Sequence, residues 1–474
     1  MEREHPLLIA GLWKRTDEVL EVKSPFDGTV VGETYLAGEA ELEEAIHAAQ
    51  LAFAVFKGYS AFKRGEVLFD IVSGLEERSE DLARTIAMEA GKPIGEARAE
   101  VRRAQSTFRI AAEEAKRIEG ELVPLDVADG ATKGFGVVRR FGVGPVLAIT
   151  PFNFPLNLVA HKVAPALAAG NPVIVKPSPK APLSALILGE IIMEAAGLPA
   201  GALSVLLCSD ELAQKAVADE RIRMISFTGS DTVGWKIKAS SGTKRVALEL
   251  GGNAGVIVDE DADIEHAARR CAQGAFAFAG QVCISVQRIY VHKKVYNVFR
   301  DALVKEGEGL VMGDPLNEDT TLGPMIDEAA LESTDEMVRD AIAGGAELFL
   351  GGERKANFFT PTVLGSVNPM MQVCKEEAFA PLVTIEPYED YTLALASLNN
   401  SRYGLQAGVF TRDINKIMQA YEALDVGGVI AGDIPTFRVD NMPYGGIKDS
   451  GFGREGVKYA IAEMTEPKLL VIKY

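Results

Sequence analysis

Gly144-Pro145-Val146-Leu147-Ala148-Ile149-Thr150-Pro151-Phe152-Asn153-Phe154-Pro155 opens the part of the chain that decides the fold. A short β-rich run, Val146–Thr150, ends in a turn and is followed by a stretch of helical length. The same alternation returns at Val173–Lys176, Leu203–Leu207 and Met224–Phe227. Strand, helix, strand in repetition predicts a mostly parallel sheet covered by helices on both faces. After Gly251-Gly252 a second series begins, with Gly255–Val258, Arg288–Val291, Pro381–Ile385, Gly408–Thr411 and Gly428–Ala431 as strands. The expectation is an α/β protein with two open α/β domains.

Outward from this core, Glu41 to Gly120 is rich in Ala, Glu and Arg and reads as helical, with Gly91-Lys92-Pro93 breaking it. Residues Glu121 to Phe141 turn to β-type residues around Ala128-Asp129-Gly130, a hairpin signal, and Lys468 to Lys473 is a further strand. The division expected is residues 1–119 and 142–248 in one domain, 249–456 in the second, and 120–141 with 457–474 as a bridging, β-type element.

The 474 residues are too many for one ordinary core and suit two or three domains with a cleft between them. A formal charge of −18 with scattered Lys and Arg disfavours nucleic acid. The apolar run Pro6 to Ala10 is too brief for a signal segment or a membrane span, so the expected location is cytoplasmic. Cys208, Cys271, Cys283 and Cys374 form no CxxC pair and the five histidines no HExxH, so no metal site is expected.

Four short motifs carry chemistry. Leu248-Glu249-Leu250-Gly251-Gly252-Asn253 sets a carboxylate beside a glycine pair at a strand end, where open α/β sheets place their ligands. Gly280-Gln281-Val282-Cys283 sets a thiol after a glycine turn; the other three cysteines sit in apolar or helical stretches and read as structural. Asn153, after a strand and before a helix, projects an amide donor suited to an oxyanion. Phe227-Thr228-Gly229-Ser230 also ends a strand and starts a helix, an anion site fit for a pyrophosphate. Singly, each is also a common turn or a buried small hydrophobe; no GxGxxG fingerprint follows any strand.

Together with Val175-Lys176-Pro177-Ser178, Glu376-Glu377-Ala378-Phe379-Ala380-Pro381 and Pro443-Tyr444-Gly445-Gly446-Ile447-Lys448-Asp449-Ser450-Gly451, these motifs resemble the aldehyde dehydrogenase superfamily from Leu20 to the C-terminus. The resemblance implies Cys283 as nucleophile, Glu249 as general base, and Asn153 with the Cys283 backbone N–H as oxyanion hole. It implies Lys176 on the adenosine ribose, Gly229 and Ser230 at the pyrophosphate, Glu377 on the nicotinamide ribose and Phe379 against the nicotinamide ring. A free thiol with a pKa near ~8.5 must first become a thiolate, and the later thioester needs a base to activate water. Acyl-CoA-forming relatives typically lack that Glu, so a free acid is the expected product. The rivals are a succinic-semialdehyde type or reductive, coenzyme A-linked enzyme, and a non-catalytic protein on the same fold.

Two departures refine the expectation. Pro179 stands where many NAD-preferring relatives carry a Glu that repels a 2′-phosphate, so NADP is expected beside NAD, with Ser178 and Lys180 near that phosphate. The surroundings of Cys283 and Phe437–Tyr444 resemble the lactaldehyde, non-phosphorylating glyceraldehyde-3-phosphate and phosphonoacetaldehyde branch, which favours small, polar or anionic aldehydes. A guanidinium should meet an anionic substrate, and Arg438 and Arg109 are the candidates. Homodimer or homotetramer follows from the resemblance, with bridging strands extending a neighbour's sheet.

Overall fold

A computed structural model describes residues 4–131 and 133–474; Met1 to Arg3 at the start of the N-terminal segment, and Thr132 in the bridging element, lie outside the described residues. Two sheets organise the chain. The first has eight strands in the spatial order Leu12–Lys14, Leu7–Ile9, Leu203–Val205, Val173–Lys176, Val146–Ile149, Met224–Thr228, Arg245–Glu249 and Gly451–Phe452. Its five central strands are parallel, and both flanks close with antiparallel pairs. Val146–Ile149, Val173–Lys176 and Met224–Thr228 are buried at every position, because helices cover both faces.

The second sheet runs Glu347–Leu350, Thr362–Gly365, Leu382–Tyr388, Val286–His292, Ala254–Val258, Gln406–Phe410 and Gly428–Ala431. It is parallel except at the Glu347–Leu350 edge. A third, antiparallel sheet joins Thr465–Lys473, Gly134–Gly142 and Glu121–Pro124. The helical region anticipated after residue 41 is four helices, Glu39–Phe56, Ala61–Glu77, Ser79–Ala90 and Ile94–Glu114, with Gly91 at φ 72° ending the third. That left-handed turn costs a glycine nothing, and a side chain there would strike Pro25 and Pro324. The hairpins at Leu7–Lys14 and Val19–Tyr35 precede it and were not anticipated.

Register fixes what the two main sheets share. Ile149 pairs with Lys176 and with Phe227, and Thr228 pairs with Glu249, so four strands end along one edge. The loops that leave that edge carry Asn153, Ser178, Ser230 and Gly251, and the chain crosses to the second sheet through Gly251-Gly252-Asn253. Gly252 is required there by close approach: a Cβ would lie 2.3 Å from the Cys283 carbonyl oxygen.

Candidate active site

A cleft of about 880 Å³ opens at this edge, lined by Asn153, Ser230, Glu249, Cys283, Glu377 and Phe379 among others. Cys283 reaches it from a loop with unusual backbone. Phe278, Ala279 and Gly280 hold φ of 48°, 52° and 67°, three successive left-handed residues. For the two side-chain-bearing residues this costs on the order of 1–3 kcal/mol each, a strain typical of functional loops. Gly280 admits no alternative, since a Cβ would fall 1.9 Å from the Ala380 carbonyl oxygen. The sequence signal of a glycine turn before the thiol therefore has a structural cause: the Cys283 loop packs directly on the Phe379–Pro381 loop.

The half-buried thiol faces a phenol and two carboxylates. Cys283 Sγ lies 3.1 Å from the Tyr444 hydroxyl. Burial pushes the thiol up to about 12; the Tyr444 contact and Arg438 oppose this, while Glu377 and Glu249 add to it. Glu249, at the end of its strand and 4% exposed, keeps one carboxylate oxygen without a hydrogen-bond partner. Burial, then the nearby Glu455 charge, raises Glu249 well above the carboxylate range. Glu455 goes the other way: burial opposes its ionisation, but Lys162 and Arg438 hold it at about 2. Lys162 Nζ donates to Glu455 Oε1 at 3.0 Å and Arg438 Nη2 to Glu455 Oε2 at 3.3 Å. Two neighbouring carboxyl groups thus have their pKa values driven apart, Glu249 upward by burial and Glu455 downward by its two cations.

Asn153 is held at both ends. Its carboxamide Nδ2 donates to the Gln281 carbonyl at 2.9 Å, leaving its second N–H for the cleft. Its own carbonyl accepts from the buried ammonium of Lys92 at 2.7 Å. Lys92 pairs with Glu100, whose other oxygen accepts the Leu156 and Asn157 N–H groups at 3.0 and 3.1 Å. The loop from Pro151 to Asn157 is thus pinned by one buried ion pair.

The remaining expected residues fall in several places. Ser230, the N-cap of the helix Asp231–Ser240, makes no capping bond with its hydroxyl and lines the cleft, while the Thr232 N–H donates to the Asp231 carboxylate at 2.7 Å. Gly229 lines the same opening. Glu377 Oε1 accepts from the Gly252 N–H at 3.0 Å, and burial pushes its carboxyl up to about 8. Phe379, at φ 48°, meets the Phe152 ring edge-on at 6.0 Å between centroids. Lys176 ends its strand with Nζ 3.4 Å from Asp210. Ser178 accepts the Lys180 N–H at 3.3 Å, and the Lys180 ammonium pairs with Asp327.

Arg109 is a correction. It lies exposed on the helix Ile94–Glu114, bound to Glu76 at 2.6 Å and away from the cleft. Helical geometry explains the error: positions 100, 103 and 107 share the inner face, whereas 109 shares the charged outer face with Arg102 and Glu113. Arg103 is the arginine of this helix that lines the cleft, its Nη2 donating to Asp440 Oδ1 at 3.0 Å. Arg438 does line the cleft, with its guanidinium 3.7 Å from the centre of the Tyr444 ring. His161 stands between the two arginines, its Nε2 3.1 Å from Asp440 and its Nδ1 3.5 Å from Arg438. Among the described residues no group of His, Cys, Asp or Glu could hold a metal ion, and no helix is long and apolar enough to cross a membrane.

This architecture, with a thiol and a carboxylate meeting at the junction of two α/β sheets, is that of a known class of oxidoreductase. The aldehyde dehydrogenase family model matches residues 13–470, and the chain belongs to that family. It is 44% identical over 471 residues to the 3-sulfolactaldehyde dehydrogenase of Priestia aryabhattai, covering 99% of this chain and 98% of the relative. Aldehyde dehydrogenase 21 of Physcomitrella patens, solved with its product succinate, superposes with a TM-score of 0.98 at 44% identity, covering 100% of this chain and 99% of that one. Glyceraldehyde-3-phosphate dehydrogenase GapN of Methanocaldococcus jannaschii, solved with NADP, superposes with a TM-score of 0.92 at 40% identity over 96% of this chain and 99% of that one.

Proposed function

We propose that the protein oxidises a small anionic aldehyde, hydroxylated, sulfonated or carboxylated, to the free acid with NADP or NAD, through a thioester on Cys283. The observation that carries this reading is convergence: Cys283, Glu249 and Asn153 meet in one cleft whose wall also presents Arg103 and Arg438. Relatives named for sulfolactaldehyde and a neighbour solved with succinate support an anionic substrate.

The residues at the cleft fit a dinucleotide. The helix N-terminus at Gly229 and Ser230 suits a pyrophosphate, Glu377 suits the nicotinamide ribose and Phe379 offers a face for the nicotinamide ring, while Lys176, at the end of its strand outside the cleft lining, suits the adenosine ribose. Bound there, the dinucleotide supplies the hydride acceptor.

The chain's own residues do the rest. The Cys283 thiolate attacks the aldehyde carbon, the C–S bond forms, and the carbonyl oxygen takes the negative charge. Asn153 donates to that oxygen, a contribution worth on the order of a hundredfold or more. Collapse of the alkoxide breaks the aldehyde C–H bond, the hydride leaving to the acceptor that a bound dinucleotide would supply, and the acyl group stays on Cys283 as a thioester. Glu249 then takes a proton from water, whose oxygen adds to the thioester carbonyl and expels the Cys283 thiolate with release of the acid. At the far end, Arg103 and Arg438 bind the substrate anion and aim its aldehyde at the thiol.

Assembly follows from the third sheet. Strand Thr465–Lys473 is an edge with Leu469, Leu470, Val471 and Ile472 exposed, a surface suited to pairing with a second copy. Light scattering of the purified chain reads whether it forms a dimer or tetramer.

The test is reduced-cofactor absorbance with NAD and NADP across 3-sulfolactaldehyde, lactaldehyde, glyceraldehyde-3-phosphate, succinic semialdehyde and neutral alkanals, with Cys283→Ala as control. Turnover of the anionic aldehydes that vanishes in the control is expected. Preference for neutral alkanals, or turnover that survives Cys283→Ala, overturns the reading.

A further inference from the structure

The run Pro443-Tyr444-Gly445-Gly446 holds an aromatic residue whose hydroxyl has no part in the proposed reaction. Tyr444 is 3% exposed, and its backbone is locked on both sides: its N–H donates to the Glu455 carbonyl at 3.0 Å and its carbonyl accepts from the Glu455 N–H at 2.7 Å. Its ring carries the Arg438 guanidinium at 3.7 Å from the centroid. Arg438 is itself fixed by Glu455, so the ring is clamped between a paired backbone and a stacked cation. The hydroxyl at its far end stands 3.1 Å from Cys283 Sγ. A buried tyrosine hydroxyl ordinarily finds an oxygen or nitrogen partner; here the partner is the reacting sulfur.

We propose that Tyr444 is a catalytic residue, the hydrogen-bond donor that stabilises the Cys283 thiolate before attack. The inference rests on Cys283 being the nucleophile. The groups facing the thiol are Glu249, Glu377, Arg438 and Tyr444, and those facing the phenol are Cys283, Arg438 and Glu249. Burial, with the carboxyl groups of Glu377 and Glu249 adding to it, opposes a negative charge at the sulfur, so the site needs a donor aimed at it. The phenol serves both protonation states. In the resting thiol the S–H donates to the phenol oxygen; once the thiol proton has passed to water, the phenol turns its O–H to the thiolate and keeps its own proton throughout. The Arg438 cation over the ring draws electron density from the phenol oxygen and makes it a better donor. A hydrogen bond to a charged group is among the stronger kinds, and its loss should lower the thiolate fraction about tenfold or more at a given pH below the thiol's pKa.

The experiment is alkylation of Cys283 by iodoacetamide in the full-length protein from pH 6 to 10, without aldehyde, followed at the Cys283 peptide by mass spectrometry. Over this range, below the thiol's pKa, Tyr444→Phe should alkylate about tenfold slower at each pH and show a lower kcat with little change in KM. Replacing Tyr444 by 3-fluorotyrosine, which keeps the ring's shape and strengthens the donor, should speed alkylation at each pH. Melting temperature and dinucleotide affinity of both variants separate this from loss of structure. An alkylation profile that is the same in the wild type and either variant overturns the proposal. Because alkylation is read at the sulfur without turnover, failure of Tyr444 is distinguishable from failure of Cys283 as nucleophile, which Cys283→Ala reports.

Discussion

The ammonium of Lys180, in the loop after the strand Val173–Lys176, is bound by Asp327, the N-cap of the helix Glu328–Ala343 in the second half of the chain. A cofactor 2′-phosphate arriving at this loop must take the lysine from a carboxylate that already holds it, and that carboxylate repels the phosphate as well.

Asp327→Asn should therefore favour NADP. The amide still accepts the Ala330 N–H that Asp327 accepts at 2.9 Å, so the helix keeps its cap. Freed from a half-exposed pair, Lys180 should improve NADP binding roughly twofold to fivefold while NAD changes little. Dissociation constants from quenching of protein fluorescence measure this, and equal shifts for both dinucleotides would remove Lys180 from the phosphate site.

Arg103 and Arg438 should behave alike toward charge. Either Arg→Ala change should raise KM for a sulfonated or carboxylated aldehyde about tenfold or more relative to a neutral one, because a charge-assisted pair is lost. Arg109→Ala, on the outer face of the same helix as Arg103, should leave both KM values unchanged. Steady-state kinetics on paired substrates decides each case.

Glu249→Gln keeps the shape of the base and removes its proton affinity. Its first turnover should still release reduced cofactor, as a burst of about one equivalent per site, while the steady rate falls by roughly 10²–10⁴. Intact-protein mass spectrometry should then find the acyl group on Cys283. A slow first turnover with no acyl adduct would assign Glu249 to the attack step instead.

Cofactor affinity should depend on pH through Glu377. Its carboxyl, held at about 8 by burial, is mostly neutral at pH 7 and ionised at pH 9. With Oε1 held by the Gly252 N–H, the ionised form accepts more strongly from ribose hydroxyls than the neutral acid does, so affinity should rise as pH passes upward through 8 and level off above it. Glu377→Gln should flatten the profile. Calorimetric titration at several pH values reads the difference.

Lys92→Met should be severely destabilising. It strands the Glu100 carboxylate, whose side chain is 0% exposed, without its cation, a change that typically costs about 3–5 kcal/mol. Adding Glu100→Gln removes the stranded charge and should recover part of the loss. Urea midpoints of the two variants test the order.

The sequence was most informative where geometry is local. Alternating strands and helices were readable because parallel strands buried on both faces are apolar at every position, as Val146–Ile149 shows. The family resemblance, seen in seven short motifs, is borne out by the match over residues 13–470. What escaped reading depends on partners distant in the chain. The N-terminal strands earn their place only by pairing at sheet edges, with Leu8 opposite Val205. Arg103 needed its helix face assigned before its direction was known. Tyr444, 161 positions from Cys283, looked like one more aromatic beside a glycine pair until the fold brought its hydroxyl to the sulfur.

Strand Gly451–Phe452 pairs antiparallel with Arg245–Glu249, setting Gly451 opposite Glu249 itself. The segment 432–446, which precedes this short strand and the strand Ile447–Lys448, carries Arg438 and Tyr444, so the residues proposed to meet the substrate anion and the thiol are tied through the chain to the strand beside the proposed base. An engineer who exchanges residues 432–446 to change specificity must carry Tyr444 across unchanged, and a graft that runs on through residue 452 also replaces the strand opposite Glu249. The useful unit of transplantation in this fold ends before the strand begins.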